Sequence, residues 1–75
     1  MQDTFFYIDG SRIRNSNGDP NDNLFYFEGK FIHGPKNSSH YWLEGYQFMC
    51  DHGFTGFIVQ GNKILGPSQH LPWFD

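Results

Sequence analysis

The sequence predicts an all-β protein: four β-hairpin repeats closed into a pseudo-four-fold shallow barrel or ring. Three observations lead there. Four segments share one pattern, two aromatic or aliphatic residues, an apolar residue, an acidic or amide residue, Gly, two variable residues and an apolar residue. Each segment has its glycine in the middle, which would cost a helix about 1 kcal/mol every time but suits a tight turn. On either side of that glycine the apolar residues follow the period of two that a half-buried strand requires.

The first repeat is Phe5-Phe6-Tyr7-Ile8-Asp9-Gly10-Ser11-Arg12-Ile13 and the second Leu24-Phe25-Tyr26-Phe27-Glu28-Gly29-Lys30-Phe31-Ile32. The third is His40-Tyr41-Trp42-Leu43-Glu44-Gly45-Tyr46-Gln47-Phe48 and the fourth Gly56-Phe57-Ile58-Val59-Gln60-Gly61-Asn62-Lys63-Ile64. Hairpins are therefore expected over about 4–14, 23–33, 39–50 and 55–66, in a single domain spanning 1–75. The tract from Asn15 to Asn23, rich in Asn, Gly and Pro, carries the extra residues of the first interval and reads as a surface loop. Each turn is either polar residue plus Gly in type I′, as Asp9-Gly10, or Gly plus the next residue in type II′, as Gly10-Ser11.

One face of every hairpin is uniformly apolar: Phe6, Ile8, Ile13; Phe25, Phe27, Ile32; Tyr41, Leu43, Phe48; and Phe57, Val59, Ile64. A lone two-stranded hairpin is marginal in water, so the four are expected to share these twelve side chains as one core. Closure into a ring also removes exposed strand edges. The tail over 67–75 lies outside the repeats, but Trp73 and Phe74 are too apolar to hang free. It is expected either to plug one opening of the ring or to dock on a second subunit.

A chain of 75 residues buries only about 60% of the surface it exposes when unfolded, so its core needs large side chains. Nine Phe, four Tyr and two Trp supply them. The net charge of −3 gives no basic excess for a phosphate backbone, so nucleic acid is not expected as a partner. A single cysteine, Cys50, excludes an intrachain disulfide and fits a reducing, cytoplasmic location. No basic leader precedes an apolar run, and nowhere do 18 apolar residues occur together, so neither a signal peptide nor a membrane span is expected.

The pattern Tyr41-Trp42-Leu43-Glu44-Gly45, with Gly34-Pro35 and Gly66-Pro67, resembles the four-fold β-flower domain family. That resemblance, over roughly residues 4–67, implies four hairpin petals in a shallow square barrel and carries no catalytic residue. Repeat one departs from it, with Arg14-Asn15 where repeats two and four place Gly-Pro. A second resemblance is to MORN repeats, through Tyr26-Phe27-Glu28-Gly29-Lys30-Phe31-Ile32-His33-Gly34. Those run near 23 residues and stack linearly, whereas the later glycines here are 16 apart.

The opposite face of the hairpins offers the ligand-binding candidates. Tyr7, Tyr26 and Trp42 at matching positions, bordered by Arg12, Lys63 and Gln47, suit sugar stacking, a planar ligand or a protein partner. Cys50-Asp51-His52 is the densest reactive cluster, but on a strand neighbouring side chains point apart, and the ordinary reading is a buried filler followed by a turn. His33, His40, His52 and His70 do not stand at a recognised metal spacing and read as linker histidines. Asp9, Glu28, Glu44 and Gln60 would ring a cation if the turns converged, and are simple turn residues if the petals point outward. No catalytic residue, metal or cofactor is assigned.

The function expected is a non-enzymatic binding or interaction module, holding a small molecule or protein through its aromatic face or its ring opening. The alternative is a small metal-dependent or thiol enzyme built on Cys50, Asp51 and His52 with the other histidines. So much apolar surface on so short a chain also predicts a homo-oligomer, with the aromatic tail or the Tyr7, Tyr26 and Trp42 face at the contact.

Overall fold

In a computed structural model, which describes residues 1–36 and 38–74, the chain forms eight antiparallel strands in a closed barrel in sequence order. They are β1 (Gln2–Asp9), β2 (Arg12–Asn15), β3 (Phe25–Glu28), β4 (Phe31–His33), β5 (Ser38–Glu44), β6 (Gln47–Cys50), β7 (Gly53–Gln60) and β8 (Lys63–Gly66). One turn of 3₁₀ helix, Pro72–Phe74, follows. Consecutive strands form the four hairpins, and β1 pairs with β8 to close the ring.

Pairing decides the turn type. Asp9 faces Arg12, Glu28 faces Phe31, Glu44 faces Gln47 and Gln60 faces Lys63, so the two turn residues are the glycine and its successor. Gly10, Gly29, Gly45 and Gly61 have φ between 61° and 66° while their successors do not enter positive φ, which is the type II′ arrangement. Each turn then holds the next petal: Phe27 N donates to Ser11 O (2.7 Å), Leu43 N to Lys30 O (2.9 Å), Val59 N to Tyr46 O (2.8 Å) and Ile8 N to Asn62 O (2.8 Å). Four equivalent hydrogen bonds thus clamp the turn end of the barrel.

At the other end each first strand must leave its own hairpin to meet its neighbour, and a left-handed residue makes the bend in every petal. These are Phe5, Asn23, Ser39 and Gly56, with φ of 65°, 64°, 60° and 91°. Register slips beside three of the four seams, as bulges require. Bulging frees backbone groups, and in petals one and four a threonine takes them up. Thr4 and Thr55 donate through Oγ1 to Ile64 O and Phe48 O, both at 2.6 Å, and accept from Phe6 N and Phe57 N, both at 3.2 Å.

The apolar face points inward as the repeat register predicts. Phe6, Ile13, Phe25, Ile32, Phe48, Phe57 and Ile64 are buried. The other five expected core residues, Ile8, Phe27, Tyr41, Leu43 and Val59, are only half-buried against that core, which corrects the expectation of twelve buried positions. Four of the five are the residues just before the acidic or amide turn position. None of the described residues covers that end.

The opposite end is filled by the tail. Leu71 and Trp73 have no exposed surface and Phe74 has 7%. Trp73 packs 5.0 Å from Phe48 and 6.0 Å from Tyr41 in petal three, and Phe74 packs 5.1 Å from Phe6 and 5.3 Å from Phe25 in petals one and two. The tail is therefore a plug in its own barrel. Its expected place at a subunit contact is overturned, because the side chains that would make the contact are already spent inside.

Gly34 and Gly66 show why the Gly-Pro pairs recur. A Cβ at either would stand 2.1 Å from the ring of Phe25 or Phe57, so each glycine is the floor on which a core phenylalanine lies. Petal one has Asn15 there instead, buried and paired with Phe6. Its side chain turns away into the long loop, where Oδ1 accepts from Asn17 N (2.7 Å) and Asp19 N (3.2 Å). The departure of repeat one is thus the anchor of its insertion.

Two outcomes are expected from this packing. A chain ending at Pro67 loses Leu71, Trp73 and Phe74, and since burying one aromatic against truncation to Ala is worth about 3–5 kcal/mol within a total of about 5–15 kcal/mol, it should show no cooperative thermal transition. A sharp calorimetric peak from that chain would show the barrel closing without its plug. Gly34→Ala should cost about 1–3 kcal/mol by overpacking against Phe25, and Phe25→Leu in the same molecule should recover part of the loss. Strictly additive losses in a denaturant-based double-mutant cycle would place the clash elsewhere.

Candidate functional site

The outer faces of the strands form a girdle whose order follows from the register. Tyr7 lies between Lys63 of the preceding petal and Arg14 of its own, and Tyr26 between Arg12 and His33. Trp42 lies between Phe31 and Met49, and Ile58 between Gln47 and Leu65. The six residues read as one aromatic patch are therefore distributed over four seams around the barrel. Each aromatic has its own neighbours rather than the other two.

Two of these seams are closed on themselves. The Arg12 guanidinium sits 5.3 Å from the Tyr26 ring centre and donates to Asn23 Oδ1 (2.8 Å) and Asn23 O (2.7 Å), so that cation is committed. Tyr26 also stacks on His33 at 5.7 Å. At the next seam Phe31 meets Trp42 edge-on at 6.0 Å, and Lys30 Nζ lies 5.5 Å and 6.0 Å from the two ring centres. The buried indole N–H of Trp42 finds no acceptor among the described residues. Contact area and cation–π attraction hold it in place.

The seam between petals four and one is open. A cavity of about 410 Å³ lies there, lined by Asp3, Phe5, Phe6, Tyr7, Ser16, Asn62 and Lys63. Phe5 is fixed in its left-handed conformation from both sides: its N–H donates to Asp3 Oδ1 (2.8 Å), and its carbonyl accepts from Ser16 N (2.9 Å) and Ser16 Oγ (3.2 Å). An aromatic residue at φ 65° stores about 1–3 kcal/mol of backbone strain. Petal four spends no such energy, because Gly56 occupies the matching position. Sequence reading passed over Phe5 because its neighbour Phe6 carries the repeat. The signal was the mismatch between Phe5 and Gly56 at one register position.

The turn end forms a second depression, of about 540 Å³, with Ile8, Phe27 and Leu43 on its floor and Gly10, Ser11, Gly29 and Lys30 at its rim. Asp9, Glu28, Glu44 and Gln60 are exposed at the ends of the strands around it. They do not gather into a cation site: among the described residues no three His, Cys, Asp or Glu side chains are placed to hold a metal ion.

The reactive cluster is brought partly together. His40, Tyr41, Cys50, Asp51 and His52 line one surface hollow of about 210 Å³. His40 Nδ1 lies 3.6 Å from Asp51 Oδ2, with both side chains largely exposed. Cys50 is half-buried across the hairpin from Tyr41. The remaining histidines are scattered, His33 on Tyr26 and His70 edge-on to Phe74 at 5.3 Å.

The long loop carries an ion pair, Arg14 with Asp22, in which both groups are shifted from their ordinary values. Asp22 Oδ1 accepts from Asn15 N (2.8 Å) and from Arg14 Nε (3.0 Å), and these two bonds hold its carboxyl below the ordinary value. The same pairing raises Arg14. Comparison with protein-family models, curated proteins and solved structures finds no match to this chain.

A carboxyl whose pKa is lowered by folding contributes stability that is present above its ordinary value of 3.8 and is lost as pH falls through the folded value. Asp22→Asn should therefore melt below the parent at pH 7, and the gap should narrow as pH drops below about 4. A gap that stays constant from pH 7 to 2.5 would mean that the carboxylate charge plays no part.

Proposed function

We propose that the protein is a non-enzymatic interaction module whose turn-end opening receives an apolar side chain of a protein partner. The observation that carries this reading is the asymmetry of the barrel's two ends. One is filled by Leu71, Trp73 and Phe74, whereas the other leaves Ile8, Phe27 and Leu43 half-exposed at the mouth of a depression. Apolar pockets with a polar rim are where interface anchors seat, and a single inserted side chain can dominate the binding energy.

The rim adds a preference for charge. Asp9, Glu28 and Glu44 end the strands next to the opening, where Lys30 lines the rim and Arg14 lies 4.0 Å from Asp9. A partner segment with Lys or Arg beside its apolar anchor complements that field. Two copies meeting mouth to mouth would instead bring their carboxylates together, so a foreign partner fits better than self-pairing there.

Self-association is the second reading, and it falls on the outer stripe of Phe31, Trp42 and Met49, where Phe31 is 36% exposed beside the Trp42 ring. The thiol-enzyme alternative has less support, since the imidazole nearest the cluster faces Asp51 and Cys50 Sγ has no hydrogen-bonded histidine among the described residues.

Selection of random peptides displayed on phage against the whole chain tests the opening. Enriched peptides should combine an aromatic or aliphatic anchor with an adjacent Lys or Arg, and Leu43→Gln should weaken them at least roughly tenfold while leaving the melting temperature within a few degrees. Peptides whose amide-shift footprint avoids Ile8, Phe27 and Leu43, or that bind Leu43→Gln equally well, would overturn the assignment. Light scattering of the parent and Phe31→Lys reads the second reading independently.

A further inference from the structure

Away from the turn-end opening, we infer that the seam between petals four and one is a small-molecule site for a planar aromatic monoanion, a carboxylate on a ring being the simplest form. The cavity there is lined by two aromatic side chains of one strand, Phe5 and Tyr7, with the Lys63 ammonium across the seam from Tyr7 and the amide of Asn62 beside it. Flat rings recognise flat rings by offset or edge contact, and an ammonium supplies the matching charge for one anionic group.

Three features of the seam distinguish it from its symmetry mates. The first is the cation. In the next seam Arg12 occupies the position of Lys63 and is committed to Tyr26 and Asn23, whereas Lys63 makes no ion pair among the described residues. The second is the ring. Phe5 is held at φ 65° where the matching residue of petal four is Gly56, and it remains 37% exposed, so its aromatic side chain is kept at a conformational cost without being used in the core. Backbone strain retained at the wall of a cavity is where ligand-binding geometry is characteristically stored. The third is room. A Cβ placed on Gly56 would meet the Pro67 ring at 3.6 Å, so the chain itself lies against the mate of the Phe5 position in petal four, while the Phe5 wall opens on about 410 Å³.

The charge of the ligand follows from Asp3. One of its oxygens is taken by Phe5 N–H, and its carboxylate shares the wall with Lys63. With one cation, one anion and a chain of net charge −3, the seam suits a single negative charge and opposes a phosphate dianion. The opening at the turn end has no share in this site beyond Asn62, whose carbonyl holds Ile8 N. The two assignments therefore stand or fall separately.

Amide-shift titration of the full chain with benzoate tests the site. Saturable shifts should centre on Phe5, Tyr7, Asn62 and Lys63 with a dissociation constant near or below roughly 1 mM, and cyclohexanecarboxylate and benzyl alcohol, lacking ring or charge, should each bind at least roughly tenfold more weakly. Phe5→Gly should raise the melting temperature by relieving the left-handed strain and weaken benzoate at least roughly tenfold. Lys63→Gln should weaken it comparably and leave melting unchanged, which keeps the test decisive whatever Phe5→Gly does to folding. The inference is overturned by an absence of saturable shifts, by equal binding of benzyl alcohol, by shifts centred on Phe27 and Leu43, or by a Phe5→Gly or Lys63→Gln protein that binds benzoate as the parent does.

Discussion

The burial of Trp73 and Phe74 at the axis is the interaction on which the rest of the barrel depends. The four hairpins enclose a space that the tail aromatics fill at the linker end, against Phe6 of petal one, Phe25 of petal two and both Tyr41 and Phe48 of petal three. An unfilled centre would leave Phe6, Phe25, Tyr41 and Phe48 without partners on one side, and dispersion contacts fall off steeply across such a gap. The tail supplies the missing atoms, Trp73 against petal three and Phe74 against petals one and two. A sequence element outside the repeat is thus what makes the repeat into a domain.

Filling one end defines the other. Because the plug enters from the linker side, the residues nearest the turns have none of the described residues above them, and Ile8, Phe27, Leu43 and Val59 remain half-buried by construction. Their backbone N–H groups are occupied in the clamp to the preceding turns, so the mouth has a fixed shape even though it is uncovered. Fixed geometry with exposed apolar floor is the combination that lets a binding surface avoid ordering costs on association.

Much of the fold was legible because period-two alternation and a glycine at constant spacing constrain strands tightly, and Phe6, Ile13, Phe25, Ile32, Phe48, Phe57 and Ile64 are core in the structure as in the register. Less of the candidate site was. Tyr7, Tyr26 and Trp42 match in the repeat, but matching positions in a closed ring are separated by rotation about its axis, so equivalence in sequence put them apart in space. The open seam was invisible because it arises from broken symmetry: Phe5 where another petal has Gly56, and Lys63 where another has a committed Arg12. The long loop was recognised, yet its anchoring through Asn15 and Asp22 depends on side chains bonding to backbone several residues away, which composition does not reveal. The choice between plug and subunit contact for the tail needed the size of the hole.

The pairing of β1 with β8 has a kinetic side. Seven of the eight ladders join strands that are consecutive in the chain, and such contacts form quickly. The eighth joins Gln2 to Gly66 across nearly the whole sequence. Bringing those ends together costs about 3–4 kcal/mol of chain entropy that no single ladder of so few residues returns. Ring closure and insertion of the tail are therefore expected to be one event, late in folding, in which β1 and the tail are secured against the same core at the same moment.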